Sequence, residues 1–105
     1  MVREITPADF VAERAAGRDI LLLDVREAWE LHTSSVPGAV HIPMAELPGR
    51  LAELEPGKPV VVLCRSGIRS LQVVQFLERR GFADVANLAG GILKWSQFDP
   101  SIPAY

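Results

Sequence analysis

Two stretches of the chain, Ile20-Leu21-Leu22-Leu23-Asp24-Val25 and Pro59-Val60-Val61-Val62-Leu63, are apolar almost without interruption. Neither alternates as a strand with one wet face does, so each is expected to be a strand covered on both faces, the condition of a parallel sheet. Parallel strands need crossovers, and the sequence supplies helical segments between them. Thr6-Pro7-Ala8-Asp9 reads as a helix start with Thr6 as N-cap, running to about Ala16 with Gly17 closing it and with Phe10, Val11 and Ala15 toward the core. Glu27 to His32 reads as a short helix carrying Trp29 and Leu31. Met44, Leu47, Leu51 and Leu54 recur at spacings of three and four, an amphipathic helix interrupted by Pro48-Gly49. A further helix is expected from about Ile68 to Arg80, with Leu71, Val74, Phe76 and Leu77 inward and Gly81 as its cap. Arg3-Glu4-Ile5, Ala39-Val40-His41-Ile42 and Asp84-Val85-Ala86-Asn87-Leu88 complete the strands. Gly90-Gly91 leads into a short helix with Ile92, Leu93 and Trp95, and Pro100 and Pro103 mark an extended tail. Strands alternating with helices through short loops predict an α/β fold: a central parallel sheet of about five strands with helices on both faces.

At 105 residues, positions 1–105 are expected to form one domain. With 49% hydrophobic and 23% charged residues the composition is that of a folded globular chain. No apolar run approaches the roughly 18 residues of a membrane span, and the start lacks the apolar stretch of a signal peptide; no membrane association is expected, and the cytoplasm is the default location. The single cysteine forms no internal disulfide, and with two separated histidines it offers no zinc or iron–sulfur spacing, so neither metal nor cofactor is expected. The net charge of −2 hides an asymmetry: residues 1–56 carry ten acids and five bases, residues 57–105 three acids and six bases. The basic half suits a small anionic substrate and is too sparse for nucleic acid.

That half contains Cys64-Arg65-Ser66-Gly67-Ile68-Arg69-Ser70, which follows the second apolar run directly and leads into a helix. A chain turning there presents unpaired backbone N–H groups around one point at the positive end of a helix dipole, a cup for anions. A thiolate at that point is favoured by the amide dipoles and by the guanidinium groups of Arg65 and Arg69. Cys64 is therefore the candidate nucleophile. Asp24-Val25-Arg26-Glu27 ends the first apolar run, where open α/β sheets place their ligand crevices.

Four pieces in register, Asp24-Val25-Arg26-Glu27, Val36-Pro37-Gly38-Ala39-Val40-His41-Ile42-Pro43, Cys64 to Ser70, and Leu88-Ala89-Gly90-Gly91-Ile92 with Trp95, resemble the single-domain rhodanese (sulfurtransferase) family over essentially the whole chain. The tail, through Asp99-Pro100 to Pro103-Ala104-Tyr105, looks most like rhodanese domains fused to enzymes that activate ubiquitin-like sulfur carriers. Before the Pro-Gly turn the family often has Gly-His, where this chain has Ser34-Ser35. The resemblance implies a rhodanese-like fold and a thiosulfate sulfurtransferase in which Cys64 carries a persulfide. The donor is a small anion, thiosulfate or a persulfide; the acceptor is a thiol, cyanide or a sulfur-carrier protein. Arg65, Ser66, Gly67, Ile68, Arg69 and Ser70 are implied as the substrate-binding loop, with Asp24 and Arg26 in support.

Other readings stand beside these. The protein could deliver sulfur only to a docked sulfur carrier, with little turnover of free thiosulfate. A cysteine phosphatase or arsenate reductase ranks lower: those enzymes separate Cys and Arg by five residues, whereas four separate Cys64 from Arg69, a ring better sized for one sulfur than for a tetrahedral oxyanion. Cys64 could be a buried structural thiol. Arg65 and Arg69 could be solvated helix-start residues, although cations are unfavourable there without an anion. Ser66 and Ser70 could donate to the sulfur or cap the helix. Asp24 and Arg26 read as braces of the crevice, His32 and His41 as structural, and Trp29 and Trp95 as core and edge packing.

Overall fold

A computed structural model describes residues 2–105. Five strands, β1 (Arg3–Ile5), β2 (Leu21–Asp24), β3 (Val40–His41), β4 (Val60–Leu63) and β5 (Val85–Leu88), form one parallel sheet in the order β1-β5-β4-β2-β3. Helices α1 (Pro7–Ala15), α2 (Ala28–Thr33), α3 (Leu47–Arg50) and α4 (Ile68–Arg79) lie in the crossovers, and α5 (Gly91–Phe98) follows the last strand, with 3₁₀ turns at Met44–Glu46 and Leu51–Glu53 flanking α3. The expected α/β architecture is thus observed, with five strands. The Met44-to-Leu54 helix is broken into three short turns around Pro48-Gly49, as a proline and a glycine inside one helix dictate.

The two apolar runs are β2 and β4, side by side in the middle of the sheet, and both faces of each are buried. Along β4, Val60 and Val62 pack with Leu23, Val73, Val74 and Leu77 on the α4 side. Val61 and Leu63 pack with Leu22, Phe10, Ile92 and Trp95 on the α1/α5 side. Cys64 continues the first set, so the two-residue period of the strand aims its side chain at the start of α4.

Thr6 caps α1, its hydroxyl oxygen accepting from the Asp9 N–H at 3.1 Å. Three side chains expected inward lie outward: Val11 and Ala15 on α1, and Leu71 on α4. Helix α1 lies at the sheet's flank and buries only Pro7 and Phe10, the latter edge-on to Trp95 at 5.6 Å. Helix α4 buries Ser70, Val73, Val74 and Leu77. Ser70 takes the inward phase, and the next residue, about 100° around a helix of 3.6 residues per turn, faces out. Phe76 is half-buried.

Candidate active site

The β4-to-α4 loop is shaped by contacts made on its far side. The carbonyls of Cys64 and Arg65 accept hydrogen bonds from the N–H groups of Ile92 (2.9 Å) and Leu93 (3.1 Å) at the start of α5. In a trans peptide the C=O and the next N–H point opposite ways, so tying these carbonyls back turns the N–H groups of Arg65 and Ser66 away from α5. The approach is close: a Cβ on Gly91, whose φ is +61°, would lie 2.5 Å from the Arg65 carbonyl group and the Cys64 carbonyl oxygen. Gly67, at φ +98°, then reverses the chain into α4.

The result is a ring of donors around the Cys64 sulfur. The N–H groups of Gly67 and Ser70 lie 3.1 and 3.4 Å from Sγ, and the Ser70 hydroxyl oxygen lies 3.2 Å away. Burial pushes the thiol up; the Ser70 hydroxyl and the amides of Ser70, Gly67 and Ser66 pull it down by more, leaving it more acidic than an ordinary cysteine. Cys64 has no exposed surface in this conformation. A structural thiol would share that burial, but not the converging amides. Ser66 acts through its main chain and Ser70 through both main chain and hydroxyl, while neither side chain caps α4. Ile68 presents its side chain to solvent.

Beside the loop lies a groove of about 500 Å³ lined by Glu27, Trp29, Glu30, Arg65, Arg69 and Tyr105. Both arginines are engaged. Arg69 makes a two-pronged pair with Glu30 at 2.7 and 2.8 Å. Arg65 donates through Nε (2.6 Å) and Nη2 to the main-chain oxygen of Tyr105, with its guanidinium 5.1 Å from that ring's centre. Glu30 also accepts from the Tyr105 hydroxyl (2.7 Å) and the Glu27 N–H (2.8 Å), and Arg69 leads the groups that hold its carboxyl down at about 2. Beneath, Asp24 and Arg26 form a fully buried ion pair at 2.7 Å. Arg26 reaches on to the Ser34 carbonyl (2.8 Å) and the Tyr105 hydroxyl (2.9 Å), and His41 Nε2 donates to the Arg26 carbonyl at 2.7 Å.

Of the loop residues expected from sequence, Gly67 and Ser70 meet the Cys64 sulfur, Arg65 and Arg69 line the neighbouring groove, Ile68 faces solvent, and Asp24 and Arg26 lie beneath as a buried pair. Glu30, Asn87 and Tyr105 escaped the sequence reading. Glu30 looks like any solvated acid of a short helix, and Tyr105 carries no local signal. Asn87 had one: it is the single polar residue of the buried strand β5. Trp29 corrects an expectation, for it is 63% exposed on the groove wall, edge-on to Tyr105, rather than packed in the core. Trp95 is buried as expected. Among the described residues no cluster of His, Cys, Asp or Glu is arranged to hold a metal, and no helix is long and apolar enough to cross a membrane.

Comparison with known proteins places the chain among relatives of known family. Relatives include a sulfurtransferase of Allochromatium vinosum, 37% identical over 97 residues (92% of this chain, 91% of that one). A thiosulfate sulfurtransferase GlpE of Coxiella burnetii is 36% identical, covering 83% of this chain and 81% of its own. An adenylyltransferase and sulfurtransferase MOCS3-2 of Zea mays is 38% identical over 85% of this chain, which spans only 20% of that protein. Among solved structures, a rhodanese-related protein of Thermoplasma volcanium superposes with a TM-score of 0.83 at 33% identity, covering 92% of this chain and 93% of the other. The rhodanese-like domain family matches residues 6–98, and the chain belongs to that family.

Proposed function

We propose that the protein is a sulfurtransferase that carries sulfane sulfur as a persulfide on Cys64. The observation that supports this most directly is the convergence of main-chain N–H groups and one hydroxyl on a single sulfur. In the first half-reaction the Cys64 thiolate attacks the outer sulfur of thiosulfate, the S–S bond of the donor breaks with its electron pair going to sulfite, and Cys64–S–S⁻ remains. In the second, a nucleophilic acceptor such as cyanide or a thiolate takes the terminal sulfur, and the bonding pair returns to Cys64 as thiolate. Charge stays on sulfur throughout, and the main-chain N–H groups of Gly67 and Ser70 are already aimed at it. Arg65, the more exposed of the two groove arginines, would meet the donor's anionic oxygens, with Gly67 making the turn and Asp24–Arg26 bracing the floor. Intact mass after incubation with thiosulfate tests the reading: a gain of one sulfur atom, removed by cyanide and absent from C64A, is expected. No gain from thiosulfate or from an organic persulfide overturns it.

A second reading is supported by the buried sulfur and by the engagement of both arginines with neighbours. In it the loop opens on a docked protein, and sulfur passes to a sulfur-carrier partner rather than turning over on free thiosulfate. No thiocyanate from thiosulfate and cyanide, together with release of the Cys64 sulfur that an activated carrier protein accelerates, would favour it.

A further inference from the structure

Asn87 sits on β5 directly behind the loop and is 3% exposed. Its Nδ2 donates to the Gly67 carbonyl at 3.0 Å. A carbonyl only accepts, so this contact fixes which end of the amide is nitrogen, and Oδ1 faces the Ser70 hydroxyl. An amide oxygen likewise only accepts. The one hydrogen of the Ser70 hydroxyl is therefore spent on Asn87, and Ser70 turns lone pairs toward Sγ, 3.2 Å away. That arrangement suits a thiol, as the chain S–H···O–H···O=C. It does not suit a thiolate, which needs the hydroxyl hydrogen for itself.

We propose that Asn87 is a positioning residue: it takes the Ser70 hydroxyl hydrogen while Cys64 is a thiol and yields it when Cys64 is a thiolate, so that Asn87 and the sulfur compete for one proton donor. The competition holds the thiol less acidic than the donor ring alone would make it, because ionisation strips a buried amide oxygen of its partner. Resting on the persulfide reading, the same hydrogen follows the cycle. Loading moves the negative charge outward to the terminal sulfur, and the hydroxyl hydrogen returns to Asn87; unloading restores the charge to Sγ and calls it back. No bond other than hydrogen bonds changes in this step.

The sign of the effect separates it from a merely structural role. Loss of Asn87 as a strut would loosen the amide ring and make Cys64 less acidic, whereas loss of Asn87 as a competitor makes it more acidic. The charged and ionisable groups nearest the loop are Arg65 in it, Arg69 on α4, Glu30 on α2, Asp24 and Arg26 at the end of β2, Lys94 on α5 and Tyr105 in the tail, with His32 on α2 and Glu78 and Arg79 at the far end of α4. All remain when one neutral residue replaces another. The pH profile of Cys64 alkylation by iodoacetamide reads the thiol directly, since the chain has one cysteine. In Asn87→Leu the profile is expected to move down by about 0.5–1 unit, a roughly 3–10-fold faster reaction on its acidic limb, the size expected when one hydrogen bond changes hands. In a Ser70→Ala background the same exchange is expected to move nothing. An unchanged or upward shift, or an equal downward shift without Ser70, overturns the proposal. Should Asn87→Leu not fold, the S–H stretching band of wild type and Ser70→Ala at acid pH decides: a lower frequency in wild type is expected from the S–H···O bond, and equal frequencies overturn it. A downward shift in a protein that no donor can load refutes the sulfur-transfer reading alone; an upward shift in one that loads normally refutes this inference alone.

Discussion

At the scale of single residues, polar groups without local sequence signals finish what the sequence motif begins. Glu30 holds Arg69 by two hydrogen bonds and is 3% exposed. Its carboxyl is lowered from 4.5 to about 2 in the folded protein, so its contribution to stability is complete above about pH 4.5 and is lost as the pH falls toward 2. Glu30→Gln is expected to cost on the order of 2 kcal/mol at neutral pH and to flatten the acid limb of a urea-midpoint-against-pH curve. A variant with the wild-type acid limb would show that the Glu30 carboxyl is not held down in the fold. The cysteine loop was legible because its residue types have few other uses at the end of a buried strand. Glu30 and Tyr105 were not, because they are brought together from 75 positions apart by the sheet, and no local pattern announces such a meeting.

At the scale of elements, the sequence reading succeeded where a pattern had one physical solution and failed where phase was decided elsewhere. The nearly unbroken apolar runs at Ile20–Val25 and Pro59–Leu63 fit strands with two covered faces best, and they became β2 and β4. The inward face of α4, by contrast, is set by Ser70 reaching Cys64, which sends Leu71 out; a periodicity read from apolar residues alone cannot see a polar residue choosing the phase. Trp29 is outward for a related reason: α2 is six residues long and turns Glu30 inward to Arg69, so its neighbour meets the groove. The helix that matters most to the loop is α5, whose first turn draws the Cys64 and Arg65 carbonyls away from the sulfur. Gly91→Ala would force a methyl to within 2.5 Å of that backbone at a φ that side chains avoid. It is expected to abolish sulfur loading in the intact-mass assay while leaving the far-ultraviolet circular dichroism of the sheet in place. Normal loading would show that the α5 contact does not shape the ring.

At the scale of the whole molecule, one buried ion pair at the end of β2 ties that strand to the segment after α2 and to the tail. Arg26 is the largest side chain with no solvent contact, and it ties Asp24, the Ser34 carbonyl and the Tyr105 hydroxyl together. Burial lowers the Arg26 pKa, but its hydrogen bonds to Asp24 and Tyr105 outweigh that and leave it raised. Arg26→Ala strands the Asp24 carboxylate without a counter-charge, which is expected to cost about 3–5 kcal/mol, a large share of the roughly 5–15 kcal/mol that a domain of this kind possesses. Thermal unfolding checks it; a midpoint within a degree or two of wild type would mean the pair is dispensable to the fold. Few of the groups that face the sulfur are side chains, and that has a bearing on inheritance. A codon change in the loop replaces what hangs from the backbone and leaves the peptide units in place, provided Gly67, which bends them, and Gly91, which lets α5 approach them, survive. Replacing the side chains of Ser66 or Ile68 is thus expected to leave the cradle itself standing, since main-chain groups build it.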